Sequence, residues 1–155
     1  MSNHAMSNHA MSIEEAVRTT VASYTHRVDT GRIDELLDLF LPDAIVEIVG
    51  AARYEGIQAI GTMFGRGVEH LAQSADVARI RHHLASQLIE IDSDSEARSS
   101  CYWTAIVGDL GVDHWGRYVD RLELVDDRWR FRQRRIYLDG AVPGGWGARG
   151  AEWNR

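Results

Sequence analysis

The sequence predicts an α+β domain in which amino-terminal helices pack on one face of a curved antiparallel sheet and enclose a pocket. Two observations carry this reading. Apolar residues recur at helical spacing up to about Ala75, and beyond it the chain turns into β-rich stretches separated by short turns. A length of 155 residues with 45% hydrophobic side chains suits one domain that buries roughly two thirds of its unfolded surface.

The chain opens with the pentapeptide MSNHA written twice. Residues 1–11 are read as a disordered tail or expression scar and set aside, and His4 and His9 within them are not taken as a metal site. Ser12 to Glu15 has capping-box spacing, and Ile13, Val17, Val21, Tyr24 and Val28 then share one helical face, which predicts a first helix from about Ile13 to Val28. Thr30-Gly31 breaks it. Ile33, Leu36, Leu37 and Phe40 predict a second short helix ended by Pro42-Asp43, so that the two helices form a hairpin. Ala44–Val49 reads as a strand, and Tyr54-Glu55-Gly56 turns into a third helix carrying Ile57, Ile60, Met63 and Phe64.

Four strands are expected near Ile80–Ile91, Ala97–Val107, His114–Val125 and Trp129–Leu138. Their links, Asp92-Ser93-Asp94, Gly108-Asp109 with Gly111, and Asp126-Asp127, are short enough for an antiparallel meander. The domain thus spans residues 12–140. Residues 141–155 form a Gly/Trp-rich tail, irregular yet partly docked through Trp146 and Trp153. It lacks the helix-forming segment and the Lys-Ser/Thr that a phosphate cradle needs.

Composition narrows the function. A net charge of -6 repels phosphate backbones and anionic membrane surfaces, so neither nucleic acid nor membrane is expected as partner. The single cysteine, Cys101, excludes an internal disulfide framework and a cysteine metal site, which fits a reducing cytoplasm. No apolar run is long enough to span a bilayer, and no signal-peptide pattern is seen at the amino terminus. Five tryptophans exceed what a core of this size needs, which suggests a lined pocket.

Arg81-His82-His83 opens a strand whose alternation puts His82, Leu84, Ser86 and Leu88 on one face and His83, Ala85, Gln87, Ile89 and Ile91 on the other. Only one of the two histidines can face the helices, and an imidazole with an ordinary pKa of ~6.5 suits proton transfer near neutrality. Asp29 ends the first helix as a capping or solvated carboxylate, and Tyr24 lies on its apolar face. Tyr102, Tyr118, Trp103 and Trp115 are candidates for pocket lining, with one of each adjacent pair facing inward. His114 beside Asp113 stands next to a turn and reads as a solvated pair. His82 and His83 point to opposite faces, so they do not ligate one ion together, and no metal or cofactor is assigned.

The ordered series Tyr24-Thr25-His26-Arg27-Val28-Asp29, Ile33-Asp34-Glu35-Leu36-Leu37, Leu41-Pro42-Asp43-Ala44, Tyr54-Glu55-Gly56, Arg81-His82-His83, Gly116-Arg117-Tyr118-Val119-Asp120-Arg121 and Trp129-Arg130-Phe131 resembles the SnoaL-like branch of the NTF2-like superfamily. The resemblance covers about Ser12 to Gly140 and implies a cone-shaped fold. Within that branch the sequence is similar to scytalone dehydratase, bile acid 7α-dehydratase and hexachlorocyclohexane dehydrochlorinase, which eliminate water or HCl with a His/Asp pair. The resemblance places that pair on His82 and Asp29 and a supporting tyrosine on Tyr24. The further acidic or histidine residue that some dehydratases carry on the next strand has no counterpart among Tyr102, Thr104 and Ile106.

The implied function is a cofactor-independent lyase or isomerase acting on a small, mostly apolar cyclic or aromatic substrate. The implied assembly is a homodimer or homotrimer built through the outer sheet face. The alternative on the same cone is a non-catalytic ligand-binding or structural subunit of the dioxygenase β-subunit kind, which the Arg134-Arg135 region leaves open.

Overall fold

The structure, a computed structural model, describes residues 3–73, 79–108 and 111–149. Helix α1 (Asn3–Asp29) begins ahead of the Ser12 capping box, and it buries Ile13, Val17, Val21 and Tyr24 on the face that their spacing predicts. Gly31, at φ +67°, turns the chain out of the helix, and its N–H donates to Val28 O at 3.1 Å. Helix α2 (Ile33–Leu37) is one turn long and plugs Leu36 into the core.

Strand β1 (Phe40–Ile48) starts four residues before the expected Ala44. Phe40 therefore belongs to a strand and not to the second helix. Pro42 lies within β1, where the pairing register shifts between Phe40 and Ile45 and the missing N–H is tolerated. Strand β2 (Ala52–Glu55), of which the sequence predicts Tyr54 and Glu55 in a turn, pairs antiparallel with β1. Helix α3 (Ile57–Gln73) follows.

Strands β3 (Ile80–Ile91), β4 (Glu96–Val107), β5 (Gly111–Val125) and β6 (Arg128–Ala141) form the expected meander. The sheet order is β2-β1-β6-β5-β4-β3, and β1 lies parallel to β6. The sheet is thus mixed, not antiparallel throughout as the sequence reading held. After two helices at the amino terminus, β1 fills the edge of β6 that the meander leaves free, and the direction of that pairing is set by the return path and not by a short turn.

The phase of β3 also differs from strict alternation. Ser86 sits at φ +51° and the register shifts between Ala85 and Leu88, so one extra residue flips the strand. His82 and Leu84 face inward as expected. Beyond the bulge Gln87, Ile89 and Ile91 take the inner face, and Leu88 is 59% exposed. In the tail, α4 (Trp146–Arg149) is a single helical turn with Trp146 buried, whereas Trp153 lies outside the described residues. Among the described residues no helix is long and apolar enough to cross a membrane.

Candidate active site

α1, α3 and the concave face of the sheet enclose a cavity of about 410 Å³. Its walls are mostly apolar: Val28 and Ile33 from the helical hairpin, Met63, Phe64 and Leu71 from α3, and Ile48 and Ile136 from the sheet. The polar groups within it are few and convergent, the pattern of a binding site for a small organic molecule.

Asp29, the last residue of α1, sits over the first residues of β3. Its Oδ1 lies 2.6 Å from His82 Nδ1, and its Oδ2 accepts the His82 main-chain N–H at 2.9 Å. The Asp29 and His82 side chains are 7% and 15% exposed. Arg81 donates to the Asp29 carbonyl at 3.1 Å, which ties the helix end to the strand a second time. The carboxylate thereby grips both the ring and the backbone of His82. It fixes the Nδ1–H tautomer, which leaves the Nε2 lone pair as the free ring position. His83, on the opposite face, is exposed.

Tyr24 lines the same cavity. Its ring meets Tyr118 at 5.8 Å, Phe64 at 5.9 Å and Phe131 at 5.9 Å, all edge to face. Burial pushes both phenols up, that of Tyr118 well above its ordinary value, so each hydroxyl keeps its proton and can donate. Behind them lies Arg134, wholly buried, with its guanidinium carbon 3.8 Å from the Tyr24 ring centre and 4.2 Å from that of Tyr118. Arg134 forms a two-pronged pair with Asp120 at 2.8 and 2.7 Å. Burial raises the Asp120 carboxyl, with Arg134 acting against that rise.

Of the four aromatic residues proposed as lining, two are in the wall. Trp103 and Tyr118 stack at 5.6 Å with their planes 22° apart and both border the cavity. Tyr102 and Trp115 do not: they are 60% and 40% exposed on the outer sheet face, because each alternates with its inward neighbour. Cys101, also on the inner face of β4, has its thiol pushed up to about 11 by burial, which removes it as a nucleophile.

The sequence reading of Asp113 and His114 as a solvated pair is overturned. They are 1% and 7% exposed, and His114 lines the cavity. Asp113 is an extra, unpaired residue of β5 opposite the Ala105–Ile106 step of β4, and this bulge together with α4 folding back over this end of β5 takes the pair out of solvent. The buried Arg134–Asp120 pair was missed as well. The phase of Tyr118 offered a signal for it, since Asp120 and Leu122 follow on the same face and a buried carboxylate requires a cation. Among the described residues no cluster of three or more His, Cys, Asp or Glu side chains is placed to hold a metal ion.

Fold and site together define a cone-shaped NTF2-like domain with an apolar cavity and a carboxylate-bound histidine at its wall. The SnoaL-like domain family matches residues 9–135, and the chain belongs to that family. Among solved structures, an NTF2-like protein with a cystatin-like fold from Novosphingobium aromaticivorans is 20% identical over 96% of this chain and 94% of that one, at a TM-score of 0.76. A scytalone dehydratase-like protein of the same organism is 20% identical over 90% of this chain and 95% of that one, at a TM-score of 0.74. Hexachlorocyclohexane dehydrochlorinase LinA-type3 from Novosphingobium barchaimii is 13% identical over 88% of this chain and 93% of that one, at a TM-score of 0.73. Identities this low establish the shared fold and nothing finer. No curated protein matches the sequence.

Proposed function

We propose that the protein is a cofactor-independent lyase of the dehydratase type, or an isomerase, that abstracts a proton from a small, mostly apolar cyclic or aromatic substrate through His82. The observation that supports this most is the double grip of Asp29 on His82, at 2.6 Å to the ring and 2.9 Å to the main chain, within an apolar cavity. A base of this kind must be neutral at working pH and held in one tautomer.

His82 Nε2 takes a proton from carbon next to a substrate carbonyl, and the C–H electron pair moves onto that carbonyl oxygen. Asp29 stabilises the imidazolium that forms, as the carboxylate of a catalytic triad does. Tyr24 donates a hydrogen bond to the oxygen that gathers charge, and burial makes that bond stronger than it would be in water. The enolate then expels a β-hydroxyl group, which leaves as water with the proton returned by His82. In an isomerisation the proton returns to a different carbon instead.

The test is a screen of hydroxylated cyclic ketones and related compounds with β-leaving groups, followed by variants on any substrate found. His82→Ala should lower turnover by about 10²–10⁴-fold with the fold retained, and His83→Ala should change it little. Equal turnover by wild type and His82→Ala rejects the mechanism. Failure of every candidate, together with tight capture of a partner subunit, moves the assignment to the non-catalytic alternative.

A further inference from the structure

His114 has no task in the scheme above, yet it shares the cavity wall with His82. The two ring centres are 6.2 Å apart and the planes stand at 89°, with Trp103 touching both rings at 5.8 and 5.4 Å. His114 Nδ1 lies 2.8 Å from Asp113 Oδ2. The same carboxylate accepts the main-chain N–H groups of Trp146 at 2.8 Å and Gly147 at 2.7 Å.

These partners decide the tautomer. Main-chain N–H groups can only donate, so Asp113 is held as an acceptor and Nδ1 of His114 carries the hydrogen. In the neutral ring Nε2 is then a bare acceptor, and among the described residues no protein group bonds it. Burial pulls this imidazole below its ordinary value and the nearby His82 adds to that, while Asp113 works against both. Burial thus favours the neutral ring, the form in which Nε2 accepts. The arrangement is also tightly built: a Cβ on Gly147 would fall 2.4–2.7 Å from atoms of the His114 side chain, so the approach of α4 to the imidazole requires glycine there.

We propose that His114 is a substrate-binding group whose Nε2 accepts a hydrogen bond from a hydroxyl on the bound molecule, so that the cavity selects a hydroxylated ring over its hydrocarbon counterpart. The inference rests on the proposed function in taking this cavity as the substrate site, and a binding measurement without turnover separates the two. The cavity volume accommodates a two-ring compound with room for its hydroxyl near His114.

The probes are 2-naphthol and 2-methylnaphthalene, which differ by a hydroxyl in place of a methyl group, and their binding is followed by tryptophan fluorescence. Wild type should bind 2-naphthol at least about tenfold more tightly, because the hydrocarbon leaves a buried acceptor unpaired. His114→Phe should abolish that preference while affinity for 2-methylnaphthalene persists, and His82→Phe should keep it. Should His114→Phe fail to fold, ¹⁵N NMR of the wild-type imidazoles decides: 2-naphthol should move the His114 Nε2 resonance and 2-methylnaphthalene should not. Equal affinity of wild type for the two probes, no binding of 2-naphthol at millimolar concentration, a preference that survives in His114→Phe, or a response at His82 alone overturns the proposal. A retained His114-dependent preference in a protein whose turnover ignores His82 would remove the catalytic reading and leave this one standing.

Discussion

The Asp29→Asn substitution replaces one carboxylate oxygen with an NH₂ group and forces a choice between two faults. If the remaining oxygen keeps the His82 main-chain N–H at 2.9 Å, the NH₂ faces Nδ1 and drives the ring proton onto Nε2, where the base is lost. If the amide turns round, two N–H donors meet at that distance, at a cost of about 1–3 kcal/mol for a buried unsatisfied donor. The active tautomer is therefore depleted by roughly 5- to 150-fold. The charge-assisted bond to the imidazolium, about 1.5–3 kcal/mol, is lost as well. Together these predict a fall in kcat of roughly 10²–10⁴-fold. Turnover on a substrate found by the screen measures the fall, and ¹⁵N NMR of His82 reports the tautomer without one. Asp29→Ala imposes no tautomer and serves as the comparison. An Asp29→Asn protein that still carries the proton on Nδ1, or that turns over within about threefold of wild type, refutes the reasoning.

Stability should fall as pH drops below about 6.5, the unfolded-state value of histidine, because burial holds His114 lower in the fold and the unfolded chain takes up its proton first. The slope is at most about 1.4 kcal/mol per pH unit for this one group, urea melts at pH 7 and pH 5 measure it, and a wild-type curve flat over that range counts against it. Arg134→Met should cost about 3–5 kcal/mol in the same melts by stranding the buried Asp120, and adding Asp120→Leu should recover most of the loss. A double variant no more stable than Arg134→Met contradicts that account. The outer sheet face, where Tyr102, Trp115 and Val119 are exposed around Arg117, is expected to close a homodimer or homotrimer. Sedimentation at micromolar concentration should show the assembly and its loss in Tyr102→Glu/Trp115→Glu, whereas a monomeric wild type would rule it out.

What was legible in the sequence is what local periodicity encodes. Ile13, Val17, Val21 and Tyr24 are buried because a helix of that phase has one apolar face, and alternation requires that one of Tyr102 and Trp103 face inward, while only the structure shows that it is Trp103. The same rule separates His82 from His83, and the family resemblance chooses His82 as the inward one; the alternation holds there because the interruption at Ser86 comes after it. Leu88 was misplaced for that reason: a single residue at positive φ leaves no mark in a run of ordinary strand formers. Asp113 and His114 escaped because their burial depends on α4 arriving from the tail, a long-range contact that no spacing within β5 records. The parallel pairing of β1 with β6 was hidden likewise, because the pairing of strands so far apart in the chain is chosen by the whole fold.

That pairing also sets a timetable for synthesis. Ile45 bonds alongside Gln133, and Thr20 of α1 reaches the Trp129 carbonyl at 3.1 Å, so the amino-terminal third is completed only by the last strand to be made. While the chain is still emerging from the ribosome, Val17, Val21, Ala44 and Val46 have no finished sheet to cover them. Long-range closure of this kind is slow, and the apolar surface that waits for it is open to association with other chains. A nascent chain halted before Arg128 should therefore remain bound to chaperones, and release should follow once β6 can dock against β1.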